Sequence, residues 1–551
     1  MRKISPAGLV VPVLALALGA WGCSDGGGGT GTAGTGGGTA GRGGTGGGAA
    51  GTGGGAAGTG GGAAGTGGSA AGTGGSAAGT GGATGGSTAG TGGATGGSTA
   101  GTGGATGGST AGTGGATGGS TAGAGGATGG STAGTGGGTG GSAGGTGGAP
   151  PVGTPAPNPP ITGSATRPQL TAGTDYTILK YFEKAGIIPG SGLTTDNWDP
   201  TAGVGDVATF TPMFTVAATG GTHTTVQAAL TAAVGVGGTA RVYIKVEPGT
   251  YRETICHRMN TPPITLYGTD AATTIIVNNG YAGKVYTDPP PSDPPWNTCA
   301  NSTPPTLGTG TYGTSGSATV AIYARDFQAK NLTFSNDYVE AGTSNIQAVA
   351  LMTQQDKQIY ENVRVLGNQD SLYVKTGNVD TVQRVYFKNC YVEGDTDFIF
   401  GRATFVLDNC EIKYLGARRG ATSGGYIVSP STDFRNAYGL LIINSMFTSD
   451  GVPNAGTVFL GRAWDEGQAS GGATYPLPGN ATGNTGGYPN GQAVIRNSVL
   501  GAHISVAAPW TNASTTSRPY SSVPTTNAAG AAIPANRLWE LTNTGAGAAT
   551  P

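Results

Sequence analysis

Asn362-Val363-Arg364-Val365 and Asn389-Cys390-Tyr391-Val392 are two copies of one short pattern, an asparagine followed by alternating residues that end on an apolar side chain. The pattern recurs as Asn331-Leu332-Thr333-Phe334, Asn409-Cys410-Glu411-Ile412, Asn444-Ser445-Met446-Phe447 and Asn497-Ser498-Val499-Leu500. Three residues after each asparagine stand Phe, Val, Val, Ile, Phe and Leu in turn, so one face of every run is apolar. Successive asparagines are 31, 27, 20, 35 and 53 residues apart, room for one strand-bearing coil each with loops inserted in the longer ones. No single repeat could bury its apolar face alone, whereas stacked coils share one core. The expectation is an all-β domain, a right-handed single-stranded parallel β-helix with a short N-terminal helix. A β-sandwich is the competing arrangement, but hairpin turn pairs at short regular spacing are scarce.

Outward from these repeats the composition divides the chain. Of 551 residues 113 are glycine, and most of those precede residue 150. Residues 44–78 are five copies of a seven-residue unit and residues 79–133 five copies of an eleven-residue unit. Such Gly/Ala/Thr/Ser repeats offer little apolar surface against the ordering entropy of the backbone, so residues 24–160 read as a disordered linker. The folded domain spans 161–545, opening with Arg167-Pro168-Gln169-Leu170. A helix is predicted over Asp175–Lys184, with Ile178, Leu179 and Phe182 on one face and Gly186 as its stop, and a second over Thr225–Ala233. Ahead of the linker, Arg2 and Lys3 precede an apolar run that ends at Cys23, the pattern of an export signal over residues 1–23. A cysteine after a small residue and before a flexible tract resembles a bacterial lipoprotein junction, which makes Cys23 the lipidation candidate. An ordinary cleaved signal peptide, giving a secreted protein, is the alternative. Either way the protein is exported; lipidation would place it in the cell envelope, at the outer membrane or cell surface, with membrane contact through the anchor alone.

Charge narrows the partners. Without the first 150 residues the chain keeps 24 basic and 27 acidic residues, a balance that gives no reason to expect nucleic acid. Of the four cysteines beyond Cys23, Cys390 and Cys410 occupy equivalent places in successive repeats. They are therefore the disulfide candidate in an exported protein, or else two small core residues. Cys256 with Cys299 has no register to support it. Three histidines and these spacings predict no metal centre, and no cofactor is expected.

Register also points to chemistry. Asp370 and Asp397 each lie eight residues after an asparagine, Asn362 and Asn389. Stacked asparagines would place the two aspartates on adjacent coils, about 4.8 Å apart in strand spacing. Like charges this close resist ionising together, which favours one protonated carboxyl and one free carboxylate. Tyr373 and Phe400 repeat the same register at eleven residues. Aspartates on such turns also cap backbone groups, so the pair alone leaves a structural role open.

Five sequence blocks surround these residues: Gly249-Thr250-Tyr251-Arg252-Glu253, Gln347-Ala348-Val349-Ala350-Leu351, Gln369-Asp370-Ser371-Leu372-Tyr373, Gly394-Asp395-Thr396-Asp397-Phe398-Ile399-Phe400-Gly401 and Leu460-Gly461-Arg462-Ala463-Trp464. In this order they resemble the signature blocks of the pectin methylesterase family. The Arg167-Pro168-Gln169-Leu170 block that opens the domain and Arg462-Ala463-Trp464-Asp465 resemble its bacterial lipoprotein branch, which includes members described as acyl thioesterases. The resemblance implies Asp397 as nucleophile, Asp370 as general acid and base, and Gln347 and Gln369 as oxyanion donors. It further implies that Arg462 orients Asp397, and that Tyr373, Phe400 and Trp464 stack on sugar rings. The implied substrate is methyl-esterified pectin, the implied products methanol and free galacturonate, and a monomer is expected.

Other readings remain: an esterase or thioesterase of the same fold acting on a non-pectin ester, and a non-catalytic β-helix that binds cell-wall polysaccharide. The Gly-x-Ser-x-Gly matches at Gly22–Gly26 and Gly140–Gly144 lie where no strand or helix would form a nucleophile elbow. His223 reads as a packing or capping residue, and Arg418-Arg419 as a solvated loop pair.

Overall fold

The computed structural model of the chain describes residues 156–549, apart from 189–192, 288–298, 300–304, 341–343, 468–488, 527–529 and 531, together with short strands between residues 77 and 133. The expected signal segment, Cys23 and both Gly-x-Ser-x-Gly matches lie outside the described residues. The chain divides into two units, 31–150 being one and the remainder the other.

In the first unit the eleven-residue repeat carries short paired strands between residues 77 and 133. Strands such as Ala77–Gly79, Thr88–Gly90 and Thr99–Gly101 pair in parallel with a register of eleven residues. Ala83–Thr84 and Ala94–Thr95 begin a second sheet in the same register. Identical repeats bring identical backbone donors and acceptors to the same height, so backbone pairing needs no large side chain.

The second unit is built from parallel coils. One face is an eight-stranded parallel sheet: β1 (Ile255–His257), β2 (Val320–Ile322), β3 (Leu351–Thr353), β4 (Leu372–Val374), β5 (Thr396–Gly401), β6 (Tyr426–Pro430), β7 (Phe459–Trp464) and β8 (Trp510–Ser514). The other faces form a continuous eighteen-stranded sheet, and the whole is the parallel β-helix expected, its crossovers right-handed as parallel connections require. Buried Val, Ile, Leu and Phe from every coil line one core, from Val216 to Ala548.

The asparagines mark a corner of six successive coils. Asn331, Asn362, Asn389, Asn409, Asn444 and Asn497 all have φ between 49° and 56°, the left-handed conformation that asparagine tolerates better than most residues. Strand Gln328–Asn336 pairs with Gln358–Leu366 on both sides of this bend, Lys330 with Glu361 and Leu332 with Val363. The corner amides bond from coil to coil: Asn362 Nδ2 donates to Asn331 Oδ1 at 2.8 Å, and Asn409 Nδ2 to Asn389 Oδ1 at 2.7 Å.

Helix α1 runs only over Ile178–Phe182, capped by Thr177, and Tyr181 and Phe182 are its buried residues. Leu179, expected on the buried face, is exposed. The helix stops early because Gly186 and Ile187 are recruited as a strand against Thr381–Val382. Helix α2 covers Val226–Val236, three residues beyond the expected end, with the Thr225 hydroxyl accepting from Ala228 N as its cap. Val226, Ala229, Leu230 and Ala233 close one end of the core.

Cys390 and Cys410 are free thiols, which corrects the disulfide expectation. They belong to a polar ladder that continues in serine. Cys390 N donates to Cys410 Sγ, Cys410 N to Ser445 Oγ and Ser445 N to Ser498 Oγ. Each thiol or hydroxyl in turn donates to the carbonyl two residues before it, those of Lys388, Asp408, Ile443 and Arg496. The thiols thus do what the serines do, satisfying backbone groups at a buried corner, and burial pushes the Cys410 thiol well up. The disulfide is Cys256–Cys299, with Cα atoms 5.3 Å apart.

Candidate active site

The register that stacked the asparagines also stacks the aspartates. Leu372 of β4 pairs with Ile399 of β5 and Tyr373 with Phe400, so Asp370 and Asp397, each two residues before the paired leucine and isoleucine, share one height on adjacent coils. Asp370 N donates to Thr396 O at 3.1 Å, which holds the two turns together. Both aspartates are left-handed, with φ of 67° and 48°, a conformation that costs free energy and clusters at functional sites. The pairing of β5 with β6 shifts register between Thr396 and Ile399, an irregularity that contains Asp397. The block ends in glycine because Gly401, at φ 126°, lies against the Val374 carbonyl where a Cβ would clash.

Arg462, on β7, reaches across β6 to Asp397. Its Nε donates to Oδ1 at 3.0 Å and its Nη2 to Oδ2 at 2.6 Å, a two-pronged pairing that fixes the carboxylate's plane. The guanidinium lies 3.8 Å from the Tyr426 ring centroid, so an aromatic face supports it. Gln347 and Gln369 occupy neighbouring coils: the Gln369 carbonyl accepts from Ala348 N, and the Gln347 carbonyl from Ala282 N. Asp370 and Asp397 are fully buried, and Gln347, Gln369 and Arg462 are at most 6% exposed. In such a site charge–dipole interactions act with little solvent screening.

Tyr373, Phe400 and Trp464 are brought together beside the carboxylates, but not as open stacking platforms. Tyr373 and Phe400 lie face to face at 4.2 Å, and Trp464 meets both edge-on at 6.0 and 5.6 Å. All three are at most 1% exposed, packed with Val349, Met352 and Cys299. Residues in the same register on parallel strands stack on one another, as Tyr373 and Phe400 do. Cys299 brings the disulfide against this cluster.

Arg418 and Arg419 lie in a turn, as expected of a loop pair, but both are engaged by other side chains. Arg418 is bound to Asp395 through Nε at 2.7 Å and Nη2 at 2.6 Å, and to Glu340 at 2.6 Å. Arg419 donates to Thr396 Oγ1. Glu340 carries no repeat signal, because it comes from a segment between coils. His223 packs edge-on against Phe214 at 5.2 Å, as expected of a packing residue.

A pectinesterase family model matches residues 301–468 of this chain, which hold the Gln347, Gln369–Tyr373, Gly394–Gly401 and Arg462–Trp464 blocks. A pectinesterase from Ralstonia nicotianae is 47% identical over 392 residues, covering 70% of this chain and 93% of that protein. The solved structure of rice weevil pectin methyl esterase is similar with a TM-score of 0.54 at 29% identity, covering 71% of this chain and all of that one. A putative acyl-CoA thioester hydrolase from Escherichia coli is 29% identical over 432 residues, covering 70% of this chain and 89% of that protein. The chain belongs to the pectinesterase family and is a carboxylic ester hydrolase.

Proposed function

We propose that this chain hydrolyses galacturonate methyl esters in pectin through an aspartyl acyl-enzyme. The observation that carries the reading is the forked Arg462–Asp397 pair with Asp370 in the same register one coil away. Asp397 attacks the ester carbonyl, and the side-chain amides of Gln347 and Gln369 donate to the oxyanion that develops. As the tetrahedral species collapses, the C–O bond to the methoxy group breaks and Asp370 gives it a proton, releasing methanol. Asp370, now a carboxylate, takes a proton from water, whose oxygen attacks the acyl carbon and restores Asp397. Tyr373, Phe400 and Trp464 form the dry wall beside these steps, and stacking on a sugar ring requires that cluster to open.

The similarity to the Escherichia coli protein supports a second reading, the same chemistry on a thioester. Methanol released from highly methylated pectin, compared with thiol released from an acyl-CoA, decides between them; thiol release alone would overturn the pectin reading.

Residues 1–23 are proposed as a lipoprotein signal ending at Cys23, followed by a tether over 24–160 and a catalytic domain over 161–545. No helix among the described residues is long and apolar enough to cross a membrane. Cys23→Ala should release the protein from membranes or stall its processing, and unchanged partition with membranes would contradict the anchor.

A further inference from the structure

Both aspartates stand on turns with unfavourable backbone conformations, and something must hold those turns against relaxation. Glu340, between strand Gln328–Asn336 and β3, supplies part of that support. Its Oε1 accepts from Gln369 N, the residue before Asp370, at 2.9 Å. Its Oε2 lies 2.6 Å from Arg418 Nη2, and the same nitrogen lies 2.6 Å from Asp395 Oδ1, two residues before Asp397. The carboxylates of Glu340 and Asp395 have no solvent exposure, while Arg418 is about a quarter exposed.

We propose that Glu340 is a positioning residue for the esterase reaction: through Arg418 and Asp395 it ties the turn that carries Asp370 to the turn that carries Asp397. The inference rests on the esterase reading for its kinetics but on the tie itself for its geometry. Every charged group facing Glu340 takes part. Asp395 repels it, Arg418 and Arg419 attract it, and the Gln369 N–H bonds it. Arg419 also grips Thr396, the residue between Asp395 and Asp397. A 1 Å displacement of a reacting group costs an enzyme up to about a hundredfold in rate, so a tie between the two turns controls turnover.

Titration supplies an independent readout. Burial, and next the neighbouring Asp395, push the Glu340 carboxyl up from its ordinary value to about 7. Between pH ~4.5 and ~7 the folded protein therefore holds a proton that the unfolded chain has lost, and this group's contribution to stability falls as pH rises through that window. The charged form that binds Arg418 dominates above pH 7. Turnover should accordingly rise with pH through an acid limb near 7, although stability does not.

The test compares the full-length wild type with Glu340→Gln across pH 5–9. At pH 8 the variant should lose about tenfold in kcat with KM within twofold, keep or raise its Tm, and lack the acid limb near 7. Wild-type kcat with the limb intact overturns the proposal, and so does a kcat that falls only in step with Tm. Backbone hydrogen exchange gives a readout independent of substrate: Glu340→Ala should lower protection at Gln369. If the wild type releases no methanol, the pectin reading fails by itself, and unchanged protection at Gln369 then overturns the tie.

Discussion

Two columns of left-handed residues run along this β-helix, and they differ in what their side chains can do for one another. At the asparagine corner each amide carries both donors and an acceptor, so neighbours can bond directly, as Asn362 does to Asn331 and Asn409 to Asn389. At the active-site turns Asp370 and Asp397 occupy a like backbone conformation in like register. An ionised carboxylate only accepts, so the Asp397 carboxylate needs donors from another strand. Arg462 supplies them, donating to both carboxylate oxygens of Asp397. The same coil geometry is self-sufficient scaffold in one place and reactive in the other.

The largest effect should come from removing the cation. Arg462→Met leaves the buried Asp397 carboxylate without its fork, and loss of one partner of a buried pair costs about 3–5 kcal/mol. Activity should vanish with it. Adding Asp397→Asn should restore most of the stability and none of the activity, because an amide needs no counter-charge. Urea unfolding of the two variants checks this; a double variant no more stable than Arg462→Met would break the contrast between the columns.

A smaller effect is expected at the corner. Asn389→Ala loses the bond from Asn409 and places alanine at φ 54°, for a cost of about 1–2 kcal/mol. Asn389→Gly keeps the backbone conformation at no steric cost, so it should be the milder change. Turnover should stay near wild type in both. Alanine matching wild type in thermal unfolding would mean that the left-handed corner carries no stability.

The contrast also explains what the sequence disclosed. A left-handed corner favours asparagine, so the backbone requirement is written into residue identity at Asn331, Asn362 and the rest, and the aspartate register follows. Features contributed by segments between coils left no such trace. Cys299 and Glu340 sit outside any repeat position, which is why the disulfide and the support behind Gln369 were hidden. Cys390 and Cys410 misled for the opposite reason. Their shared register was real, but Ser445 and Ser498 in the same column indicate a hydrogen-bonding role that cysteine fills equally well. Tyr373 and Phe400 likewise shared a register that led to their stacking on each other.

The account stands on Asp397 as nucleophile and Asp370 as its proton partner. The direct measurement is methanol released from highly methylated pectin by folded Asp397→Asn, beside Asp370→Asn and the double variant. Each single change should cut turnover by at least ~10²-fold, and the double should fall little below the worse single, since residues working as a unit are not additive. Near-wild-type methanol release by folded Asp397→Asn would contradict the account.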